Sequence, residues 1–319
     1  MRFATACLSS LLTMACAAAP LPAEDPVEQP KERAPLVPVI VDPPVAQAVT
    51  RVVQVNNMGL KAPASVVHDT KTDTYLLSNV NGSPFAADNN GFISKLNPDG
   101  RLVALQFIAG GQNQVTLNAP KGLALVERSL YVVDLNTVRV FDADTGAPKD
   151  SIAVEGAQCL SDIAVAVDGS LYVSDTGLKE GFQPTGSDAI YRIDAQKKVE
   201  RVVAGPYLGQ PSGLRVGTEG IWVATLGSGE VFHLGKDHRI SGTQRPPTGK
   251  LVGLAILDDQ SLLVSSWDCG CIYKSNQAGA FSKIVDNVAG VADVSYDAQR
   301  KRLLVPLANA DSFEAHALP

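Results

Sequence analysis

Oxygen-bearing side chains recur at the ends of short apolar segments along this chain. Asn79, Asp134 and Asp175 each end such a segment, and Asp162 begins another. Carboxylate and amide oxygens are the ligands that hard divalent cations prefer, so these four residues could hold a cation or the polar groups of a ligand. Side chains of this type also cap turns at strand ends by accepting hydrogen bonds from backbone N–H groups. Capping is the commoner role, and ligand binding is the alternative.

Three further polar residues are candidates for a ligand-binding site. The segment around Asn81 is rich in side-chain oxygens, Lys121 lies directly before Gly122, and Asp268 precedes a cysteine. The segment around Asn81 lacks the spaced acids and terminal Glu of a calcium-binding loop. Turn formation therefore explains its composition more simply than calcium binding does.

Cysteine is the third residue type that could carry chemistry. Cys159, Cys269 and Cys271 lie outside the N-terminal segment. Three thiolates could bind a soft ion such as copper(I) or zinc, with Asp268 adjacent. In an oxidising compartment a disulfide with one thiol left over is the default. We expect a disulfide or buried thiols rather than a metal site or a nucleophile.

Other functional classes find no support in the residues. No Gly-x-Ser-x-Gly, His-Glu-x-x-His, phosphate-binding loop or dinucleotide fingerprint occurs. The formal net charge of -6 opposes binding to nucleic acid or to an anionic membrane. The four histidines have no metal-ligand spacing: His68, His233, His238 and His316.

The N-terminal segment predicts export. Arg2 precedes an uncharged, largely apolar stretch over residues 3–19, which is typical of a secretory signal peptide. Cleavage before Cys16 would give a lipid-anchored protein, although Thr13 stands where such signals usually have Leu. A soluble exported form is the alternative. The expected location is therefore periplasmic, outer-membrane-anchored or secreted.

Residues 20–48 are predicted to be a linker. Eight of the twenty prolines lie between positions 20 and 44, mixed with charged residues. This composition cannot bury a core and favours an extended polyproline II conformation. The chain thus divides into a signal peptide (1–19), a proline-rich linker (20–48) and a folded domain (49–319).

A repeat of about 40 residues runs through the folded domain. Its first strands are spaced by 57, 40, 51, 40 and 40 residues, and they begin at Ser65, Gly122, Asp162, Gly213, Gly253 and Asp293. A second and a third strand follow in each unit, and fourth strands are visible over residues 102–107, 199–203 and 281–285. Four-stranded units at this spacing are typical of propeller blades. The sequence therefore predicts an all-β, six-bladed β-propeller.

The sixth unit lacks a fourth strand because the chain ends soon after its third. The segment over residues 49–55 is an unassigned strand that precedes the first unit. Pairing it with residues 311–317 would complete the sixth blade and cover an exposed sheet edge. We predict this closure of the ring.

The two longest units carry insertions between their second and third strands. These insertions span residues 80–91 and 176–189. In a propeller such loops lie on the face where the first strands begin, so both should line one mouth of the central channel. We expect a ligand, either a small molecule or a protein, at that mouth.

Three segments resemble a known family: Pro63-Ala-Ser-Val-Val-His-Asp69, the stretch from Leu160 to Asp175, and Gly290-Val-Ala-Asp-Val-Ser-Tyr-Asp297. They are similar to the gluconolactonase, senescence marker protein and luciferin-regenerating enzyme family of six-bladed propellers, and to the looser group of NHL-like propellers. The resemblance implies lactone hydrolysis with one divalent cation, held by a Glu, an Asn and an Asp at the channel mouth.

The positions that align with those ligands carry different residues in this chain. They are Ala64, Ser161 and Thr225, which lack the anionic oxygens a hard cation needs. The favoured interpretation is therefore an exported binding module without the metal site of the family and with no cofactor assigned. The alternative is a lactonase or related ester hydrolase that uses a divalent cation at relocated ligands, namely Asn79, Asp134, Asp162 and Asp175.

Overall fold

A computed structural model describes residues 49–319 as six four-stranded antiparallel sheets arranged in a ring. Strand β1 (Thr50–Val55) precedes the first blade. Blade 1 contains β2 (Pro63–Asp69), β3 (Thr74–Asn79), β4 (Phe92–Leu96) and β5 (Leu102–Ala109). Blade 2 contains β6 (Pro120–Val126), β7 (Ser129–Asp134), β8 (Thr137–Asp142) and β9 (Pro148–Ala153). The predicted signal peptide, Cys16 and the predicted linker lie outside the described residues.

The third blade is the only described one with an additional hairpin. It contains β10 (Leu160–Val165), β11 (Leu171–Asp175), β14 (Ala189–Ile193) and β15 (Val199–Ala204), and its insertion forms β12 (Leu178–Lys179) and β13 (Gln183–Pro184). Blade 4 contains β16 (Pro211–Val216), β17 (Gly220–Thr225), β18 (Val231–Gly235) and β19 (Ile240–Gln244). Blade 5 contains β20 (Leu251–Ile256), β21 (Leu262–Ser266), β22 (Cys271–Ser275) and β23 (Phe281–Val285).

The last blade is assembled from both ends of the described chain. It contains β24 (Ser295–Asp297), β25 (Arg302–Leu307), β26 (Ser312–Ala317) and β1. Strand β1 pairs with β26 from Thr50 opposite Ala317 to Val55 opposite Phe313. The predicted closure of the ring is confirmed, and β1 covers an edge of β26 that would otherwise be open to another chain.

Apolar side chains between adjacent blades form the core. Val133 and Val138 of blade 2, for example, pack in one buried cluster with Val173 and Tyr191 of blade 3. Because each sheet has a neighbour on both faces, second strands such as β3 and β21 are buried along their whole length, whereas outer strands such as β9 are largely exposed. The first strand of each blade is its inner strand, and each inner strand contacts those of the two neighbouring blades.

Regular pairing begins later in the inner strand of blade 6 than the repeat predicts. The repeat starts this strand at Asp293, whereas β24 starts at Ser295 and Val291 makes only an isolated bridge to Leu307. The backbone N–H of Asp293 donates instead to the carbonyl of Ala64 in blade 1, 3.0 Å away. This bond joins two adjacent blades rather than two strands of one sheet.

The ring has two faces. The insertion face is where the inner strands begin and where the loops between second and third strands lie, including residues 80–91 and 176–188. The opposite face carries the turns between first and second strands. Helical structure in the described residues is limited to three 3-10 turns, Glu180–Phe182, Pro206–Leu208 and Ala308–Ala310. Over residues 49–319, no helix is long and apolar enough to cross a bilayer.

Candidate functional site

The two insertions meet on the insertion face beside blade 2. The rings of Phe85 and Phe182, one from each insertion, lie edge to face with their centroids 5.2 Å apart. Lys121, at the start of the inner strand of blade 2, donates from Nζ to the carbonyl of Pro84 at 3.1 Å. The insertions therefore lie on one face, as the repeat predicts, and Lys121 braces one of them.

Large apolar side chains are exposed around this face. Phe182, Tyr207, Met58 and Trp267 are 62, 52, 41 and 37% exposed, and each lies in a loop of the insertion face. Aromatic side chains of this kind are enriched where proteins bind partners. These four residues, called the apolar rim below, come from loops of different blades.

Asp134 and Asp175, two of the predicted ligands, are fully buried at the ends of second strands. Asp134 accepts hydrogen bonds from the backbone N–H groups of residues 118 and 119 and from Nε of Arg139. Asp175 accepts from the backbone N–H groups of residues 158, 159 and 177. Each carboxylate thus holds the loop that leads into the inner strand of its own blade.

Asn79 occupies the equivalent position in blade 1. Its Oδ1 accepts from the backbone N–H of Lys61 at 2.9 Å, and its Nδ2 donates to Oγ of Ser94 at 3.0 Å. Asn81 adopts a left-handed conformation, with φ of 54°, and donates from Nδ2 to the carbonyl of Asn90. Both side chains stabilise the local loop conformation.

The remaining predicted residues do not come together as one site. Asp268 pairs with Nζ of Lys250 at 3.0 Å on the surface. Cys269 and Cys271 form a disulfide, and Cys159 is a free, buried thiol. Among residues 49–319, no three His, Cys, Asp or Glu side chains are grouped so as to hold a metal ion.

The three positions aligned with the cation ligands of the gluconolactonase-like family do not fit such an ion. Ala64 has no donor side chain. Oγ of Ser161 lies 3.1 Å from Oγ of Ser212, and Oγ1 of Thr225 accepts from the backbone N–H of Glu230. Neutral hydroxyls with internal partners cannot supply the charge that a divalent cation requires.

Asp162, in contrast, belongs to a polar cluster that spans the central channel. Its Oδ2 lies 2.6 Å from Nη1 of Arg215 in blade 4, and Nη2 of the same guanidinium lies 3.4 Å from Asp293 in blade 6. Ser65 of blade 1 donates from Oγ to Asp293 at 2.8 Å. These four residues, called the channel plug below, tie four of the six blades together.

Asp293 is the residue of the channel plug whose pKa lies near neutrality. Burial and the nearby charge of Asp162 raise the pKa of Asp293 to about 7, although Arg215 and Ser65 oppose the shift. Burial disfavours the charge of Arg215, but the two carboxylates outweigh it and raise the pKa of the guanidinium. The plug therefore contains one permanent cation, the guanidinium of Arg215, between the side chains of Asp162 and Asp293.

Glycine leaves the space that the plug needs. A Cβ atom on Gly122 would lie 2.7 Å from Oδ1 of Asp162, and one on Gly253 would lie 2.8 Å from Oδ1 of Asp293. Gly122 and Gly253 stand at the repeat position that Asp162 and Asp293 occupy in the neighbouring blades. The same glycine–aspartate arrangement therefore occurs twice, three blades apart.

Arg215 is the residue of the channel plug that sequence reasoning missed. It occupies the third position of its inner strand, counted from Gly213. The same position in the other five blades carries only small or apolar side chains: Val67, Ala124, Ala164, Ala255 and Ser295. A single cation in an otherwise uncharged repeat position was the signal that could have revealed the plug.

Known proteins are similar to this chain in structure, but the sequence comparisons found no match. No family model matches the chain, and no curated protein matches it by sequence. Virginiamycin B lyase from Staphylococcus aureus superposes with a TM-score of 0.61 at 12% identity, covering 83% of this chain and 98% of the lyase. A protein provisionally assigned as a gluconolactonase superposes with a TM-score of 0.64 at 16% identity, covering 86% of this chain and 93% of that protein.

A streptogramin B lyase is similar to the same degree, with a TM-score of 0.60 at 11% identity over 85% of this chain and 98% of the lyase. The shared property is the fold. At such low identity, the six-bladed β-propeller is established, and the chemistry of these proteins is not carried over with it.

Proposed function

We propose that this protein is an exported binding module that takes a small molecule or a protein segment at its insertion face. The observation that carries the proposal is the apolar rim, which brings exposed aromatic and Met side chains to the loops of a single face. Large aromatic side chains supply much of the affinity in binding sites, because each removes a large apolar area from water.

The internal bonding of the oxygen ligands supports binding over metal-dependent catalysis. Asn79, Asp134 and Asp175 each bond to the protein backbone, and Asp162 bonds to Arg215. A divalent cation would have to displace these internal donors, which would leave buried N–H groups without partners. The relocated cation of the hydrolase alternative thus has no ready set of ligands among these residues.

The hydrolase alternative keeps one supporting observation. A carboxyl with a pKa of about 7, such as that of Asp293, is suited to general acid–base catalysis at neutral pH. Asp293 is buried, however, and engaged with Ser65 and Arg215. An ester or lactone substrate would first have to reach it, so we place this function second.

The two functions are separated by one pair of measurements on the purified protein. Metal content and hydrolysis of aliphatic lactones are measured before and after chelation. We expect no stoichiometric metal and no turnover above the uncatalysed rate. Lactone hydrolysis that chelation abolishes would overturn the binding proposal and favour the hydrolase.

The binding role itself is tested with matched surface variants. Proteins and small molecules that co-purify with the exported protein from its own host are identified, and each is then titrated as a purified component. We expect Phe182→Ala and Trp267→Ala to weaken binding about tenfold or more. Val103→Ala removes a side chain of similar exposure, 52%, from the outer strand of blade 1, and it should leave the affinity unchanged.

A further inference from the structure

The loop between the second and third strands of blade 5 carries a disulfide that the proposed function does not use. Cys269 and Cys271 are separated only by Gly270, and their Cα atoms lie 5.2 Å apart. The loop runs from Trp267 to Gly270, between β21 and β22, on the insertion face. A disulfide between residues this close in the sequence restrains very little of the unfolded chain.

The small size of the disulfide loop makes the bond easy to reduce. In the chain-entropy model a disulfide stabilises the fold by restricting the unfolded chain, and the restriction grows with the number of residues enclosed. By the same thermodynamic cycle, the fold makes the disulfide harder to reduce by the same free energy. For a loop of three residues the protection is roughly tenfold, against roughly a thousandfold or more for a loop of about 100 residues. We therefore expect reduction to occur while the domain remains folded.

Hydrogen bonds that involve no sulfur atom hold this loop in place. The backbone N–H of Trp267 donates to the carbonyl of Lys250 at 3.0 Å, and the N–H of Val288 donates to the carbonyl of Gly270 at 2.8 Å. The first residue of β22 also pairs with the last residue of β21. Because none of these contacts requires the bond between the two sulfur atoms, we expect the loop to keep its backbone pairing in both redox states.

The two cysteines differ in their access to solvent. Cys269 is partly exposed, whereas Cys271 is fully buried at the start of β22. The side of the loop at Gly270 is closed, because a Cβ atom there would lie 3.1 Å from Cα of Ala289. Since a thiolate attacks the disulfide sulfur that it can reach, Cys269 is the residue open to attack and Cys271 carries the leaving sulfur.

We propose that the Cys269–Cys271 disulfide is a thiol–disulfide exchange site for low-molecular-weight thiols. The thiolate of one molecule attacks Sγ of Cys269, the bond between the two cysteines breaks, and Sγ of Cys271 leaves and takes up a proton. A second thiolate then attacks the sulfur of the first molecule in the mixed disulfide and releases Cys269, which also takes up a proton. Two thiols are thereby oxidised to one disulfide, and the protein gains two electrons and two protons.

The mixed disulfide places an adduct beside the apolar rim. Cys269 lies two residues after Trp267, an exposed side chain of the same loop. The exchange itself does not depend on the binding role proposed above, so either can fail without the other. Only the consequence for binding rests on that role: an adduct on Cys269 should hinder a partner that covers Trp267.

The first test equilibrates the purified protein with mixtures of reduced and oxidised glutathione near neutral pH, followed by alkylation, tryptic digestion and mass spectrometry. The tryptic peptide over residues 251–274 contains both cysteines. At millimolar reduced glutathione we expect about half or more of this peptide to carry two alkyl groups, while the far-ultraviolet circular dichroism stays that of the folded domain. A disulfide that stays oxidised, or that is reduced only as the domain unfolds, would overturn the proposal.

The second test identifies the sulfur that is attacked. Cys271→Ala leaves the thiol of Cys269, and Cys269→Ala leaves the thiol of Cys271, so each variant is the matched control for the other. Both are treated with oxidised glutathione, and glutathionylation of the same peptide is followed over time. We expect Cys271→Ala to be modified about tenfold faster or more, because Cys269 is the more exposed of the two. Equal rates in the two variants would refute attack at Cys269 and with it the proposed order of steps.

Discussion

Replacing Asp293 with Asn tests whether the channel plug carries a proton near neutral pH. Asp293 is 6% exposed, and burial together with the charge of Asp162 raises its pKa from 3.8 to about 7. Because the pKa is higher in the folded state, the native protein keeps a proton that the unfolded chain has released. The stability that this proton contributes is fully present below about pH 4 and is lost as the pH rises through about 7.

The size of the effect follows from the size of the shift. One pKa unit corresponds to about 1.4 kcal/mol, so a shift of roughly three units sets an upper limit of about 4 kcal/mol. Charges inside proteins interact less strongly than the low-dielectric limit implies, so we expect about half of that upper limit. In a domain of this size, 2 kcal/mol corresponds to about 4–8 °C in Tm.

Thermal unfolding of the wild type and of Asp293→Asn between pH 5 and pH 8.5 measures this contribution. The Asn side chain resembles the protonated acid and still accepts a hydrogen bond from Ser65. We expect the variant to exceed the Tm of the wild type slightly at pH 5 and by several degrees at pH 8.5. Asp268→Asn, at a surface ion pair with Lys250, is the control and should follow the wild type at both pH values.

The difference between the variant and the wild type isolates the plug, because carboxylates outside it have the same surroundings in both proteins. Asp69, for example, has a lowered pKa and contributes stability that is lost only in acid. If Asp293→Asn showed the same dependence of Tm on pH as the wild type, the carboxyl would not take up a proton in this range. A lower Tm for the variant at pH 8.5 would refute the reasoning outright.

Three further predictions concern stability and are measured by urea unfolding. Arg215→Met leaves two buried carboxylates without their cation and should lower the free energy of unfolding by about 3–5 kcal/mol. Recovery of wild-type stability when Asp162 and Asp293 are also changed to Asn would support this cause. No recovery would contradict it. Gly122→Ala places a Cβ 2.6 Å from a neighbouring backbone atom and should lower the free energy of unfolding by about 1–3 kcal/mol. Gly217→Ala is the control and should lower it much less, because its nearest neighbour would lie at 3.6 Å. Equal losses in the two variants would show that packing is not the cause. Joining Cys269 to Cys271 closes a loop of only three residues, so reduction should lower stability by about 1–2 kcal/mol on the chain-entropy model, and complete unfolding on reduction would contradict that small contribution.

The fold could be predicted from the sequence because its determinants are local and repeated. Each blade needs four short apolar strands and turns between them. The sequence repeats this pattern six times, with insertions in two of the units. Closure by the strand before blade 1 followed from counting, since the sixth unit was one strand short. The pairing of Val55 with Phe313 is thus a long-range contact that a repeated local pattern predicts.

The capping of Asp134 and Asp175 is partly local as well. Each carboxylate accepts hydrogen bonds from backbone groups that lie 15 to 17 residues earlier in the chain. This constant separation repeats because each side chain ends the strand beside the loop that it holds. A constant separation along the sequence therefore corresponds to the same contact in space, because the blade repeat sets the positions of both residues.

The channel plug could not be predicted in this way. Asp162 and Arg215 are 53 residues apart, and Arg215 and Asp293 are 78 apart. These separations have no meaning until the ring is closed and the six inner strands face one another. Only the departure of Arg215 from the other five blades pointed to it, and a departure becomes visible only when repeats are compared position by position.

The plug links inner strands that are far apart in the sequence. Its salt bridges join inner strands from blades 3, 4 and 6, and Ser65 adds blade 1. Asp162 and Asp293 stand near the starts of their inner strands, beside the loops of the insertion face. A substitution that breaks the plug, such as Arg215→Met, should therefore disturb that face as well as the stability of the ring.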